Sequence, residues 1–124
     1  MNNQELIDKW LSVFGKDVDK KLIEDHVTSH TNLLWHLFTW CKVSCLEEDE
    51  ARQEFDALKY TEAIRFYDGY SNHIEGVSVI EKISAEDVDN DPQGDVYIVA
   101  KDFSWTYVRT HEKDCCGPYF CTVK

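Results

Sequence analysis

Between Val96 and Val108 large apolar side chains recur with a period of two, in two consecutive runs. Val96, Ile98 and Ala100 alternate with Tyr97 and Val99, and Phe103, Trp105 and Tyr107 alternate with Ser104, Thr106 and Val108. A period of two sends successive side chains to opposite faces of an extended chain, so each run is a strand with a bulky face. With Lys101-Asp102 as a two-residue turn, Ala100 opposes Phe103, Ile98 opposes Trp105 and Val96 opposes Tyr107. Directly opposed residues share a face of a sheet, so these six side chains form one continuous apolar surface. Lys-Asp is not the Asn-Gly type of turn that two-residue loops favour, which leaves a longer loop with shifted pairing as the alternative. Tyr119-Phe120-Cys121-Thr122-Val123, after the Gly117-Pro118 turn, reads as a further strand beside this hairpin.

A surface of that kind needs cover, and the rest of the chain supplies helices. Residues 3–14 place Leu6, Ile7, Trp10, Leu11 and Phe14 on one helical face, with Asn2 or Asn3 as cap, Glu5 in the first turn and Gly15 as stop. A second helix is expected over 17–26, capped by Asp17, with Val18, Leu22 and Ile23 as its apolar edge. A third runs from Leu46 to Leu58. Glu47, Glu48, Asp49 and Glu50 load its first turn, where the partial positive charge of a helix N-terminus favours them, and Ala51, Phe55 and Leu58 face inward. Residues 33–40 are the most apolar stretch. Their length, the rings of Trp35, Phe38 and Trp40, and the turn residues Thr28 to Asn32 before them favour a buried central strand. Leu33, Leu34, Leu37, Phe38 and Cys41 would equally make a helical face. Ala63–Tyr67 and Val77–Ile80 read as strands, and Asp87 to Gly94 as a polar loop broken by Pro92 and Gly94. The sum is an α+β fold, an antiparallel sheet with a C-terminal β-hairpin and helices mostly on one face.

With 124 residues, 43% of them apolar and 13% aromatic, the chain is expected to be one domain, residues 1–124, with one core. No stretch approaches the roughly 20 apolar residues that cross a bilayer. The start, Met1-Asn2-Asn3-Gln4-Glu5, lacks the basic flank of a secretory signal, so a cytoplasmic location without a membrane partner is expected. Five cysteines, an odd number, fit thiols kept reduced. Thirteen basic against twenty-four acidic residues give a net charge of −11. That charge repels phosphate backbones, which argues against nucleic acid as a partner, and it attracts a basic protein. Acidity of this kind also serves plain solubility.

Candidate chemistry concentrates near the C-terminus. His111 and Glu112 precede Cys115, Cys116 and Cys121, residue types that zinc prefers. No Cys-x-x-Cys pair is present, and adjacent cysteines point apart in an extended chain, so no metal is expected. Cys41 and Cys45 share a helical face without forming a standard knuckle. Vicinal Cys115-Cys116 has Glu112, Lys113 and Asp114 for neighbours, a net acidic setting that opposes thiolate formation. Neither a nucleophile elbow nor a glycine-rich phosphate cradle occurs, so no cofactor is expected. His26, His30, His36 and His73 are scattered among separate elements. The stripe Phe103, Trp105, Tyr107 would stack on bases or sugars if exposed, but the hairpin turns it inward, leaving Arg109 and His111 for an exposed role.

Several segments together resemble a known family: Leu34-Trp35-His36-Leu37-Phe38-Thr39-Trp40, Glu50-Ala51 with Phe55, Asp95-Val96-Tyr97, Ser104-Trp105-Thr106-Tyr107-Val108-Arg109-Thr110-His111-Glu112 and Gly117-Pro118-Tyr119-Phe120. They are similar to a family of small uncharacterised bacterial proteins catalogued as a domain of unknown function. The likeness covers most of the chain beyond residue 30 and implies a bacterial cytosolic protein, with no activity or site residues attached. Small size, acidity and the want of a catalytic signature then lead to a non-enzymatic binding protein, most concretely an immunity or inhibitor protein neutralising a basic, nuclease-type toxin. Its candidate contacts are Glu47, Glu48, Asp49, Asp87, Asp89 and Asp91 in two acidic segments, with Arg109, His111 and Glu112 at the end of the hairpin. The alternatives are a small enzyme built on His111 and Glu112, and a subunit of a larger assembly.

Overall fold

The computed structural model of the chain describes residues 2–27, 34–39, 43–68, 74–111 and 117–123. In chain order the elements are α1 (Asn3–Phe14), α2 (Lys20–His26), α3 (His36–Thr39), β1 (Leu46–Glu47), α4 (Glu48–Ala57), β2 (Glu62–Asp68), β3 (Ile74–Glu81), α5 (Ala85–Asp89), β4 (Val96–Ala100), β5 (Trp105–Arg109) and β6 (Tyr119–Thr122). The six strands form one antiparallel sheet in the order β1-β6-β5-β4-β2-β3. The fold is α+β.

β4 and β5 hold the middle of the sheet, and every residue of both is buried. Because both parities of these strands carry large apolar side chains, both faces must be roofed. On one face Phe66, Tyr97, Val99, Val108, Tyr119 and Cys121 meet Leu6, Ile7, Trp10 and Phe14 of α1 and Leu37 and Phe38 of α3. On the other, Ala63, Val96, Ile98, Trp105, Tyr107 and Phe120 meet Ala51 and Phe55 of α4 and Ala85 and Val88 of α5. Of the five helices among the described residues, three thus lie on one face and two on the other. α1 forms as its sequence dictates, with Asn2 accepting from the Glu5 N–H and Glu5 reaching back to the Asn2 N–H in a capping box.

The hairpin pairs two residues out from the expected register. Ile98 lies across from Tyr107 and Val96 from Arg109, because residues 101–104 make a longer loop in place of a two-residue turn. A shift of two preserves which face each side chain takes, so Val96, Ile98, Ala100, Trp105 and Tyr107 still share one surface. Phe103 is the exception. Its backbone turns to φ +60, and its ring joins the opposite core, under the Lys9 ammonium 4.7 Å from its centroid.

Three other expectations are corrected. Residues 36–39 of the apolar segment are helix α3, not a central strand: with Leu37 and Phe38 buried against α1 and the sheet, the helical face of that pattern outweighs its β propensity. Residues 33 and 40 lie outside the described residues, as does the turn at 28–32. Asp87–Asp89 belong to α5, since Ser84 accepts from the Asp87 N–H and Asp87 from the Ser84 N–H, a capping box that nucleates a short helix inside a polar stretch. The second helix starts at Lys20 under an Asp19 cap, not at Asp17.

A polar relay fastens α1 to the middle of the sheet. The Trp10 indole donates to Thr106 Oγ1 at 3.0 Å, and that hydroxyl donates to the Ile98 carbonyl at 2.8 Å, all of it buried. Thr106→Val keeps the shape and leaves the indole N–H without an acceptor, which costs about 1–3 kcal/mol. Urea unfolding should show the midpoint falling with the slope unchanged; an unaltered midpoint would show that the relay adds nothing to the packing of Trp10.

Candidate functional site

The two acidic segments of the sequence lie side by side. α4 and α5 pack on the same face, and Arg52 bridges them: its guanidinium meets Asp89 at 3.1 Å and Asp49 at 3.0 Å. Asp56, near the end of α4, accepts from the Ala85 N–H at 2.7 Å and so fixes the start of α5. Around this frame Glu47, Glu48, Asp49, Glu50 and Asp87 are exposed, while Asp89 is half-buried. Asp49 presents 87% of its side chain to solvent. The Ser84 amide and hydroxyl hold the Asp87 carboxyl below its ordinary range, so it stays ionised through neutral pH. Glu48 sits at φ +56, in the left-handed region that costs a non-glycine residue about 1–2 kcal/mol. Its N–H donates to the Pro118 carbonyl at 2.9 Å, which ties the strained residue to the strand that follows.

Asp91 and Arg109 build a loop and are not on open display. Asp91 accepts from the Tyr67 hydroxyl at 2.8 Å and from the Gln93 N–H at 2.9 Å. Arg109, expected at the surface, is 4% exposed, and its Nη2 donates to the carbonyls of Asp91 (3.2 Å) and Gln93 (2.6 Å). A guanidinium can be buried here because backbone carbonyls of the 90–94 turn supply its acceptors. Glu112, Cys115 and Cys116 lie outside the described residues, as do Cys41, His30 and His73.

A polar cluster gathers where β2 and β5 end and β4 begins. Asp95 is nearly buried and accepts twice from His111, from its backbone N–H at 2.8 Å and from its ring Nδ1 at 2.9 Å. The His111 ring is 45% exposed and stands edge-on to the indole of buried Trp35, centroids 5.8 Å apart. Trp35 donates its backbone N–H to the Tyr97 hydroxyl at 2.9 Å, and that hydroxyl donates to Asp68. Burial pushes the Asp68 carboxyl up to about 8, and the nearby Asp95 adds to the rise. Burial and then the Asp68 charge likewise raise the Tyr97 phenol well above its usual value. Of this cluster sequence reasoning singled out His111 alone. Asp95, directly before an all-apolar strand, carries a signal, because a carboxylate at the end of a buried ladder has backbone donors to satisfy. The approach of Asp68 to Tyr97 follows from strand pairing and has no local signature.

A cavity of about 760 Å³ opens between the end of α1, the segment before β1 and β6, and both described cysteines, Cys45 and Cys121, line it. Burial, then the neighbouring Cys121 and Glu47, pushes the Cys45 thiol up to about 12, and burial raises Cys121 too. Thiols in that state are poor nucleophiles. Among the described residues no group of three or more His, Cys, Asp or Glu side chains could hold a metal ion, and no helix is long and apolar enough to cross a membrane.

Asp68 links this end of the sheet to pH. Folded, its carboxyl keeps its proton up to about pH 8; unfolded, it loses the proton near the ordinary aspartate value of 3.8. Between those limits the folded state binds the extra proton, so this group's contribution is full below the lower value and is lost as pH rises to the upper one. Asp68→Asn, neutral throughout, should flatten the decline. Melting temperatures of both proteins across this range check it: the variant should gain on the wild type as pH rises, and parallel curves would show that Asp68 ionises freely in the fold.

No curated protein and no solved structure matches the chain. A family model does, over residues 4–120, which is nearly the whole sequence and takes in both the acidic helices and the Asp95–His111 end. The chain therefore belongs to the family described as Domain of unknown function (DUF4275).

Proposed function

We propose that this is a non-enzymatic acidic binding protein whose α4–α5 face receives a basic protein, and that it acts as an immunity or inhibitor protein against a basic, nuclease-type toxin. The observation that carries the reading is the asymmetry between the two helical layers. α4 and α5 hold eight carboxylates and one guanidinium, Arg52, itself engaged by Asp49 and Asp89. α1 and α2 hold four carboxylates against three lysines. Solubility alone calls for charge spread over the surface, whereas a one-sided field draws in an oppositely charged partner and orients it during encounter. A nuclease must line its groove with cations to hold phosphates, and a dense array of fixed carboxylates is complementary to such a groove. Strain at Glu48 supports the same face, because a left-handed acidic residue is kept where its placement matters. The rings of Trp105 and Tyr107 are buried, which leaves charge as the main chemistry of this face.

A second reading, catalysis at His111, has the Asp95 carboxylate in its favour, since a carboxylate on Nδ1 fixes the tautomer and orientation of an imidazole. His111→Ala separates the two, leaving capture through the α4–α5 face, which does not include His111, intact under the first reading and abolishing turnover under the second.

The first reading is tested by co-expressing the protein with basic nuclease-type toxin domains, those of its own genome first, and measuring capture by surface plasmon resonance. Replacing Glu48, Asp49 and Asp87 with Lys should slow association by about tenfold or more at low salt, and the difference should shrink as salt screens the field. Cells expressing the toxin should lose protection with the same variant. Binding that is indifferent both to salt and to the triple replacement would refute the proposal.

A further inference from the structure

Among the described residues the sheet terminates at β3, which pairs with β2 alone. At eight residues it is the longest strand, and it contains no proline. Val77 and Val79 are 42% and 56% exposed, two of the three exposed large apolar residues among those described. Val79 lies across from Ile64, so it faces the side that α1 covers elsewhere. The first residues of α1 reach this strand at its start, where Asn3 Nδ2 donates to the Ile74 carbonyl at 3.2 Å. Natural sheets guard long edges with prolines, lysines or bulges. Here a bulge at Gly76, whose φ of +65 lets the backbone pass over Tyr67, interrupts the edge, since a Cβ there would stand 2.7 Å from that ring. The charges on the strand, Glu75 and Glu81, are both acidic and so turn away an acidic partner but not a basic one. Beyond it, from Ser78 to Glu81, the ladder is regular.

The charge at the far end of the strand is unbalanced. Glu81 lies directly across from Glu62, a like-charge pairing that destabilises a sheet. Glu62 is met by Lys101 at 3.2 Å, and no ion pair to Glu81 is found within 4 Å among the described residues. A cation on the outer side of Glu81 would relieve it.

We propose that the outer edge of β3 pairs with an extended segment of a partner protein, apolar side chains against Val77 and Val79 and a Lys or Arg against Glu81. A second copy of this chain fits poorly: a two-fold pairing that sets Val77 across from Val79 also sets Glu75 across from Glu81, between molecules of charge −11 each. The inference goes beyond the α4–α5 reading and uses none of its residues.

The probe is an end-capped synthetic peptide, Lys-Thr-Val-Thr-Val-Thr, compared at millimolar concentration with the same peptide N-methylated on alternate amides and with Glu in place of Lys. Amide hydrogen exchange at residues 77–81 should slow by about tenfold with the first peptide and remain unchanged with the other two. Val79→Lys, at a solvent-facing position, should abolish the protection, and Glu81→Gln should reduce it severalfold. The Lys triple variant of Glu48, Asp49 and Asp87 should keep it in full, so loss of partner capture through the acidic face and loss of edge pairing are read separately. Protection that survives N-methylation or Val79→Lys, or that appears only on α4 and α5, overturns the proposal. So does sedimentation showing a wild-type dimer that Val79→Lys dissolves, which would assign the edge to a second copy.

Discussion

The structure depends on two strands that are buried on both faces. Val96 to Ala100 and Trp105 to Arg109 have no side to give to water, so they must be central and must be roofed above and below. Each other element follows from one of those two demands. α1 and α3 bring Trp10, Phe14, Leu37 and Phe38 to one face, and α4 and α5 bring Phe55 and Val88 to the other. Ring packing closes both layers, with Phe66 stacked on Tyr97 at 5.0 Å and Phe55 on Tyr107 at 4.1 Å. Thr106 stands between them, facing one layer with its hydroxyl while its strand belongs to both.

Elements whose patterns are long and whose caps are local were legible in the sequence. α1 spans the expected residues because its apolar face, its Asn2 cap and its Gly15 stop agree, so no tertiary contact has to overrule any of them. The faces of the hairpin were legible for the same reason. Its register was not, because a shift of two residues leaves every face unchanged and periodicity cannot see it; only the turn decides, and Lys101-Asp102 is a weak turn signal. Residues 36–39 are ambiguous in the sequence because a short apolar run satisfies strand and helix patterns alike, and what decides is the shape of the space between α1 and the sheet. α5 was hidden by composition: Asp87 and Asp89 read as loop until Ser84 is seen as a cap.

The site was legible in kind more than in arrangement. Which residues are acidic is plain from the sequence, yet that Glu47–Glu50 and Asp87–Asp89 share one surface is a consequence of Arg52 and Asp56 fastening α4 to α5. The burial of Arg109 is not legible because a charged residue at a strand end is usually solvated, and nothing local announces that the 90–94 turn offers its carbonyls inward. Asp68 and Tyr97 are separated by 29 residues and meet only because β2 pairs with β4. Long-range polar partners of this sort leave no periodic trace.

An acidic run at a helix start has a sufficient local cause, since the helix dipole alone favours Glu48, Asp49 and Glu50 in the first turn. That cause does not extend to the rest of the face. α5 has its own capping box, and nothing in its helix chemistry requires it to lie against a second acidic helix. Packing the two together raises mutual repulsion that one guanidinium between Asp49 and Asp89 offsets only in part. A fold that needed cover for Phe120 and Tyr107 and nothing more would be served as well by neutral or mixed helices. The excess negative field is therefore a property of the surface itself, separate from the packing beneath it, and a surface that holds like charges together against their repulsion gains stability when an opposite charge arrives.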